Sequence, residues 1–172
     1  MEYLDLYDIN RQPLGEKIAR GSKVIGSKYR MVVHICIFNS EGKMLIQQRS
    51  PNKKGFANLW DLSVGGCSQC GETSQQAVHR EVLEELGLDI DFSHIRTKLT
   101  VNFEHGFDDY YIITRDVELS ELTLQEEEVV DAKWADLNEI FSMIDDGTFA
   151  PYFKSFIALL FDMRDKPDNF NI

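Results

Sequence analysis

Three glutamates close together on one predicted helix are the strongest chemical signal in the sequence. Glu81, Glu84 and Glu85 are separated by three and four residues, and side chains at those spacings are neighbours on a helix surface. Carboxylates that close repel one another and resist joint ionisation unless a cation neutralises them. A hard cation such as Mg²⁺ does so, and Mg²⁺ sites usually hold substrate phosphates as well. The cluster therefore indicates either a cation site for phosphate chemistry or a solvated acidic helix face.

The residues around the cluster favour the cation site. Arg80 directly precedes Glu81, and an arginine beside carboxylates can pair bidentately with one of them and hold it in place. Glu72 lies just before the predicted helix, and a glycine turn at Gly65 and Gly66 leads into this region. Glycines allow backbone carbonyls to approach a metal ion closely.

The helix that carries the cluster has clear ends. Thr73 and Gln76 have the spacing of a capping box, and Gly87 stands where a left-handed C-terminal cap is expected. These signals predict a helix over about residues 74–86. One face of this helix is apolar and is predicted to pack against a core. The residues of that face are Ala77, Val78, Val82 and Leu86.

Residues 66–88 resemble the Nudix box. The box has the pattern G-x5-E-x7-R-E-U-x-E-E-x-G-U, in which U is a bulky aliphatic residue, and this chain matches every fixed position. The resemblance implies the Nudix fold, an α+β or α-β-α sandwich architecture with a mixed β-sheet between helices and the box as a loop-helix-loop. It also implies Mg²⁺- or Mn²⁺-dependent cleavage of a phosphoanhydride in a nucleoside diphosphate or a nucleoside diphosphate linked to another moiety.

The same resemblance assigns roles within the box. It implies that Glu81 and Glu85, with a backbone carbonyl near Gly66, hold the first metal ion, and that Glu84 shares a ligand or base role. Arg80 is expected to orient a box glutamate. Metal ions bound there would neutralise the diphosphate and lower the pKa of a bound water. The predicted metal ligands are therefore Gly66, Glu81, Glu84 and Glu85, and Arg80, Glu84 and Glu85 are predicted to be catalytic.

Outside the box, other residues are predicted to bind the substrate or to supply a further carboxylate. The candidate phosphate contacts are Arg49, Lys53 and Lys54. Tyr110 is a candidate for stacking on a base, although aromatic side chains in strands usually pack in a core. Many Nudix proteins place an additional metal-binding or water-activating carboxylate in a loop near residues 125–128. This implies a catalytic role for Glu127 or Glu128.

Length and patterning predict a single domain. With 172 residues, of which 43% are hydrophobic, the chain can fill one ordinary core. We expect one Nudix domain over residues 1–172, with a β-hairpin arm at 1–29 and the core at 30–165. The predicted strands cover residues 30–38, 43–49, 95–103, 109–117 and 129–134, and the predicted later helices cover residues 137–144 and 152–163.

A formal net charge of −11 indicates what kind of partner to expect. Nucleic-acid-binding proteins present basic stripes, so we expect a small-molecule diphosphate and not a nucleic acid. The anionic substrate must be attracted locally by metal, Lys and Arg. Three cysteines, no signal peptide and no apolar run near 18 residues predict a cytoplasmic protein that does not enter a membrane. The oligomeric state stays open, with a homodimer as one option.

An isomerase is the first alternative interpretation. The segments before the box resemble Nudix proteins of the isopentenyl-diphosphate isomerase type, which protonate and deprotonate an alkene. In that family a cysteine before the box carries the chemistry, and aligning the motifs places Gly65 at its position and Cys67 at a metal-binding histidine. The later catalytic glutamate is not clearly present either. Isomerase activity is therefore disfavoured.

A catalytically silent nucleotide-binding module is the second alternative. Loss of box carboxylates would indicate it, and all of them are present. The family's markers for ADP-ribose, diadenosine polyphosphates and coenzyme A are missing from the sequence. A nucleoside diphosphate, or its sugar or alcohol derivative, remains the expected substrate class, and the exact compound is not predicted.

Overall fold

The computed structural model describes residues 2–166. Within that range the chain forms nine β-strands, three α-helices and one 3₁₀ turn. The strands are β1 (Tyr3–Tyr7), β2 (Pro13–Ala19), β3 (Arg30–Phe38), β4 (Met44–Arg49), β5 (Trp60–Asp61), β6 (Val64–Cys67), β7 (Leu99–Phe103), β8 (Gly106–Thr114) and β9 (Val129–Ala135). The helices are α1 (Ser74–Leu86), α2 (Leu137–Asp145) and α3 (Lys154–Met163), and the 3₁₀ turn is Leu119–Glu121.

Seven of the strands described between residues 2 and 166 belong to one sheet. Its strand order is β5-β4-β3-β8-β7, with β6 paired to β3 and β9 paired to β4. β9 runs antiparallel to β4 from Met44↔Ala135 to Arg49↔Val129. β3 has the apolar, β-branched sequence RMVVHICIF, and its last four residues are all buried, as expected for a strand covered on both faces.

The chain divides into two compact units. The first comprises Met1–His34, Gly65–Glu81 and Ile90–Tyr111, and the second comprises Ile35–Val64, Val82–Asp89 and Ile112–Ile172. Four elements, β3, β6, α1 and β8, contribute residues to both units. The prediction of a single domain over the whole chain stays a prediction.

The first unit contains the N-terminal hairpin. β1 and β2 pair antiparallel with each other and form a separate two-stranded sheet, which is the hairpin that the turn signals predicted. Tyr7 of β1 exchanges two backbone hydrogen bonds with Tyr29. Tyr7 also packs with Met31 and Phe107 in a small buried cluster, so apolar contacts and hydrogen bonds both hold the hairpin within this unit.

The core of the second unit is built largely on β4 and α3. Met44, Leu45 and Ile46 of β4 are completely buried. The ring of Phe38 meets the ring of Phe161 edge to face, with their centroids 4.9 Å apart, a geometry that aromatic pairs favour.

No helix among residues 2–166 is both long and apolar enough to cross a membrane.

Most of the predicted elements are present, and two strands are misplaced. α1 and β3 have the predicted bounds. The predicted strands at 95–103 and 109–117 are instead Leu99–Phe103 and Gly106–Thr114. The predicted bounds leave Gly106 between the two strands, but it is the first residue of β8. A Cβ atom there would lie 2.6 Å from the Arg30 carbonyl oxygen, so this glycine is required by close packing within the unit.

Candidate active site

Both ends of α1 form as the sequence predicts. The Thr73 N–H donates to Oε1 of Gln76 at 2.9 Å, and the Gln76 N–H donates to Oγ1 of Thr73 at 3.3 Å. Gly87 has a φ of 70°, which is the left-handed conformation that ends many helices. Ala77, Val78, Val82 and Leu86 are completely buried. These features fix the rotational phase of the helix and therefore the directions of its glutamates.

Arg80 is the centre of an ion-pair network at the start of the box. Its Nε donates to Oε1 of Glu72 at 2.6 Å and its Nη2 donates to Oε2 of the same carboxylate at 2.9 Å. Nη1 donates to Oε1 of Glu81 at 2.8 Å, and Nη2 also donates to the Cys67 carbonyl at 3.0 Å. The predicted orienting role of Arg80 matches this geometry, because one guanidinium holds Glu72, Glu81 and the backbone together.

The charges of this network are stabilised by their own contacts. Burial raises the pKa of Glu72, but hydrogen bonds from Arg80 and from the Gln69 N–H outweigh burial and hold that pKa below its ordinary value. Burial acts to lower the pKa of Arg80, but its contacts with Glu72 and Glu81 raise it. Glu72 and Arg80 are therefore both ionised at neutral pH.

Gly66 lies directly against the Glu81 carboxylate. A Cβ atom added at Gly66 would overlap the carboxylate carbon and both of its oxygens, and Glu81 is only 4% exposed. The box glycine is therefore required here by close approach and not by a turn conformation. The predicted ligand pair of the Glu81 carboxylate and the Gly66 backbone is compatible with this packing.

Glu85 occupies a different environment. It is 4% exposed, and its Oε2 accepts a hydrogen bond from Nε2 of Gln47 at 3.0 Å. Gln47 lies on β4 and is 2% exposed. The sequence analysis did not identify this residue, and the only local signal is a polar side chain following the apolar run of β4. Glu84, the third glutamate of the cluster, is exposed.

The carboxylates of α1 suit a hard divalent cation. Mg²⁺ is usually held by one or two protein carboxylates, with water and substrate phosphates completing its octahedron. Glu81 and Glu85 are two buried carboxylates of the same helix, and the Glu81 carboxylate lies directly against the Gly66 backbone. Within residues 2–166, no three His, Cys, Asp or Glu side chains are arranged as a group that could hold a metal ion. The ligand set that includes Glu84 stays a prediction.

The segment between β4 and β5 carries the candidate phosphate-binding side chains. Arg49 donates from Nη1 to Oδ2 of Asp61 at 3.3 Å and from Nε to the Gly55 carbonyl at 3.0 Å. The Lys53 ammonium pairs with the Glu128 carboxylate, so two residues that were predicted separately are brought together. Lys54 is exposed.

Tyr110 is placed in the core. Its side chain is 3% exposed, and its ring stacks on His34 with the centroids 4.8 Å apart and an interplanar angle of 12°. Aromatic side chains on a central strand usually pack inward, and this one does. This packing disfavours the predicted contact of Tyr110 with a substrate base, which stays a prediction.

Gly65 has no room for a side chain. A Cβ atom there would lie 2.7 Å from Nδ1 of His34. The position that the isomerase resemblance assigns to a catalytic cysteine is therefore packed against an imidazole ring. Cys36, Cys67 and Cys70 are free thiols, and burial raises the pKa of Cys67, which disfavours a reactive thiolate.

Comparison with known proteins identifies the family. The family model described as the NUDIX domain matches residues 28–159. The chain belongs to the Nudix family, and it is a hydrolase that acts on pyrophosphate bonds.

Three relatives illustrate the similarity. An uncharacterized Nudix hydrolase of Listeria monocytogenes is 48% identical over 164 residues, which cover 95% of this chain and 96% of that protein. A crystal structure from Deinococcus radiodurans superimposes with a TM-score of 0.75 at 27% identity, and the match covers 96% of this chain and 100% of that one. An isopentenyl-diphosphate Delta-isomerase of Salmonella heidelberg is 27% identical over 154 residues, which cover 83% of this chain and 82% of that protein.

These matches confirm the predicted family and the α+β fold class. The Deinococcus structure shares its fold with almost the whole of this chain. The Listeria relative also confirms the predicted hydrolase class.

Proposed function

We propose that the protein is a Mg²⁺- or Mn²⁺-dependent hydrolase that cleaves the phosphoanhydride of a nucleoside diphosphate or of a nucleoside diphosphate linked to another group. The observation that carries this proposal is the pair of buried carboxylates on α1, with Glu81 held by Arg80 against Gly66. Carboxylates on one helix suit a hard divalent cation, and a phosphate substrate needs such a cation for charge neutralisation.

Each residue of the box has a defined part in this proposal. Glu81 and Glu85 hold the cation, and Arg80 fixes the Glu81 carboxylate in one orientation. A bound Mg²⁺ or Mn²⁺ would neutralise the diphosphate and lower the pKa of a coordinated water. Glu84 is exposed on the same helix and is a candidate for a further ligand or for the base.

The segment after β4 supplies the cations that bind phosphate. An anionic substrate is repelled by a chain of net charge −11. Three side chains offset this repulsion locally, namely Arg49, Lys53 and Lys54. Lys53 is paired with Glu128. When Lys53 contacts a phosphate instead, the Glu128 carboxylate becomes available to accept the proton of the attacking water. A cytoplasmic location and a homodimer are parts of this proposal that rest on the sequence alone.

Release of a nucleoside monophosphate from a panel of diphosphates tests the proposal. The panel contains nucleoside diphosphates and their sugar and alcohol conjugates, each assayed with Mg²⁺ and with Mn²⁺, and compares wild type with Glu85→Gln. We expect metal-dependent turnover of at least one compound, reduced by about 10²-fold or more in the variant because a ligand of the catalytic metal is weakened. Turnover that is indifferent to Glu85→Gln would contradict the proposal.

The same panel separates the alternatives. Isopentenyl diphosphate is included because of the 27% identity to an isomerase. We expect it to remain unchanged, since Gly65 cannot be replaced by a cysteine without a collision with His34. Conversion of isopentenyl diphosphate without phosphate release would favour the isomerase. Nucleotide binding without any turnover would favour a silent binding module.

A further inference from the structure

Gln47 is a buried polar residue that lies outside the Nudix box and contacts one of its glutamates. Its side chain is 2% exposed, and Nε2 donates to Oε2 of Glu85 at 3.0 Å. The other amide atom, Oε1, is buried and has no hydrogen-bond partner among the residues that the structure describes. Polar atoms in this situation are uncommon in folded proteins, and a water or an ion frequently accounts for them.

The contact with Glu85 determines which way the amide faces. A glutamine amide has two N–H donors on one side and an acceptor oxygen on the other. If the group were rotated by half a turn, Oε1 would face the carboxylate oxygen of Glu85, and two acceptors would oppose each other. The donor therefore faces Glu85, and Oε1 is left to accept a hydrogen bond from elsewhere.

We propose that Gln47 is a positioning residue for the catalytic cation. Its Nε2–H fixes the Glu85 carboxylate in the orientation that binds the cation, and its Oε1 accepts a hydrogen bond from a water in the cation's coordination shell. Water bound to a divalent cation is a strong donor, because the cation withdraws electron density from it. This inference rests on the proposed function, since it requires Glu85 to be a metal ligand.

A neutral amide is suited to this position. A lysine or arginine at position 47 would bring a positive charge to the carboxylate and compete with the cation for it. The amide of Gln47 orients the carboxylate through a hydrogen bond and adds no charge of its own. Groups that orient metal ligands in this way commonly change metal affinity by about 10- to 100-fold when they are removed.

Titration of Mn²⁺ into the substrate-free protein tests the role of Gln47. Free Mn²⁺ is followed by electron paramagnetic resonance for wild type, Gln47→Met and Gln48→Met. Methionine matches the length of glutamine but has no amide. We expect Gln47→Met to weaken Mn²⁺ binding by about tenfold or more.

Gln48→Met is the matched control on the same strand. Gln48 donates from Nε2 to the Asn58 carbonyl at 3.0 Å and is more exposed than Gln47. Its replacement removes the same chemical group from the neighbouring position. We expect Mn²⁺ affinity to stay within about twofold of wild type, the range for substitutions away from a site.

The outcomes distinguish this inference from the proposed function. If Glu85→Gln weakens Mn²⁺ binding and Gln47→Met does not, the positioning role is wrong and the metal site stands. If neither wild type nor the variants bind Mn²⁺, the proposed function is itself overturned. Thermal unfolding in EDTA establishes that each variant is folded. If Gln47→Met does not fold, the same titration is carried out with Gln47→Asn. The shorter side chain of asparagine holds its amide farther from Glu85, so we expect weaker Mn²⁺ binding. Unchanged Mn²⁺ binding by Gln47→Asn would show that the positioning role is wrong.

Discussion

Glu81 and Glu85 lie on the same helix and are equally buried, but they are held by opposite kinds of partner. Glu81 receives a hydrogen bond from the Arg80 guanidinium at 2.8 Å, whereas Glu85 receives one from the neutral amide of Gln47 at 3.0 Å. Each is 4% exposed. The guanidinium also holds Glu72 and the Cys67 carbonyl, so Glu81 belongs to a network of charged and backbone groups.

The two kinds of partner have different consequences for the stability of the protein and for cation binding. A carboxylate that is paired with an arginine is stabilised in the folded protein and contributes to stability through that pair. A carboxylate that accepts a hydrogen bond from a neutral amide is oriented by it without being neutralised by it, and can bind a cation. We infer that neutralising Glu85 affects function far more than stability, and that removing the partner of Glu81 affects stability directly.

Glu85→Gln gives the largest expected effect on function. We predict a loss of at least about 10²-fold in kcat/KM, while the midpoint of thermal unfolding in EDTA stays the same or rises, because a buried charge has been removed. Steady-state kinetics and calorimetry on the same preparation measure both quantities. A large drop in the unfolding midpoint would show that Glu85 is a structural residue and would remove the contrast with Glu81.

Arg80→Met gives the largest expected effect on stability. It leaves Glu72 and Glu81 without their shared guanidinium, and breaking a buried ion pair in this way destabilises a protein by about 3 kcal/mol or more. Urea unfolding measures the free energy of unfolding. Retention of wild-type stability would mean that the network is not structural.

Arg11→Met is the control for that substitution. Arg11 pairs bidentately with the buried Asp109 at 2.9 and 2.6 Å and lies over the ring of Phe107. Its loss also leaves a buried carboxylate without its guanidinium and is therefore destabilising. Arg11→Met should leave the affinity for Mn²⁺ unchanged, whereas Arg80→Met should weaken Mn²⁺ binding. Equal losses of affinity in both variants would attribute the effect to general destabilisation.

Gly66→Ala tests the close approach between the backbone and Glu81. The new Cβ atom would overlap the carboxylate, so we predict a destabilisation of about 1–3 kcal/mol, typical of overpacking, together with weaker Mn²⁺ binding. Gly55→Ala is the control for stability, because nothing lies within 4 Å of a Cβ atom at that position. Its free energy of unfolding should change by less than about 0.5 kcal/mol. Equal stability of both variants would contradict the packing at Gly66.

The pH dependence of Glu72→Gln is the smallest predicted effect. The pKa of Glu72 in the folded protein lies below its ordinary value of 4.5. A carboxyl group with a depressed pKa contributes stability above the unfolded-state pKa and loses that contribution as pH falls through the folded-state pKa. The stability difference between wild type and Glu72→Gln should therefore be constant above pH 4.5 and shrink below it. Urea unfolding across this pH range measures the difference in the free energy of unfolding. A difference that grows as the pH falls would contradict the lowered pKa of Glu72.

The position and phase of the catalytic helix could be predicted from local sequence. The capping pair Thr73 and Gln76 and the glycine at position 87 determine its ends, and both act over a few residues. The resemblance of the box to a known pattern also identified Arg80 as an orienting residue. Information of this kind is encoded within the segment itself and is therefore readable without a structure.

The features that the sequence analysis missed depend on contacts between distant segments. Gln47 and Glu85 are far apart in the chain, and nothing in either segment specifies that they meet. The pairing of Lys53 with Glu128 is of the same kind. The start of β8 at Gly106 was not predicted, because a glycine indicates either a turn or close packing, and the Arg30 carbonyl and the Phe103 ring beside it show that close packing applies here.

Hydrolysis in oxygen-18 water is the most direct test of the central claim that the carboxylates of α1 support metal-dependent attack of water on a phosphoanhydride. The preferred diphosphate is incubated with Mg²⁺ and wild-type protein, with Glu85→Gln as the comparison, and the products are analysed by mass spectrometry. We predict one oxygen-18 atom in a phosphoryl product of the wild-type reaction, formed only with metal, and about 10²-fold less in the variant. Label that is absent from the phosphoryl products, or equal in both proteins, would contradict the account.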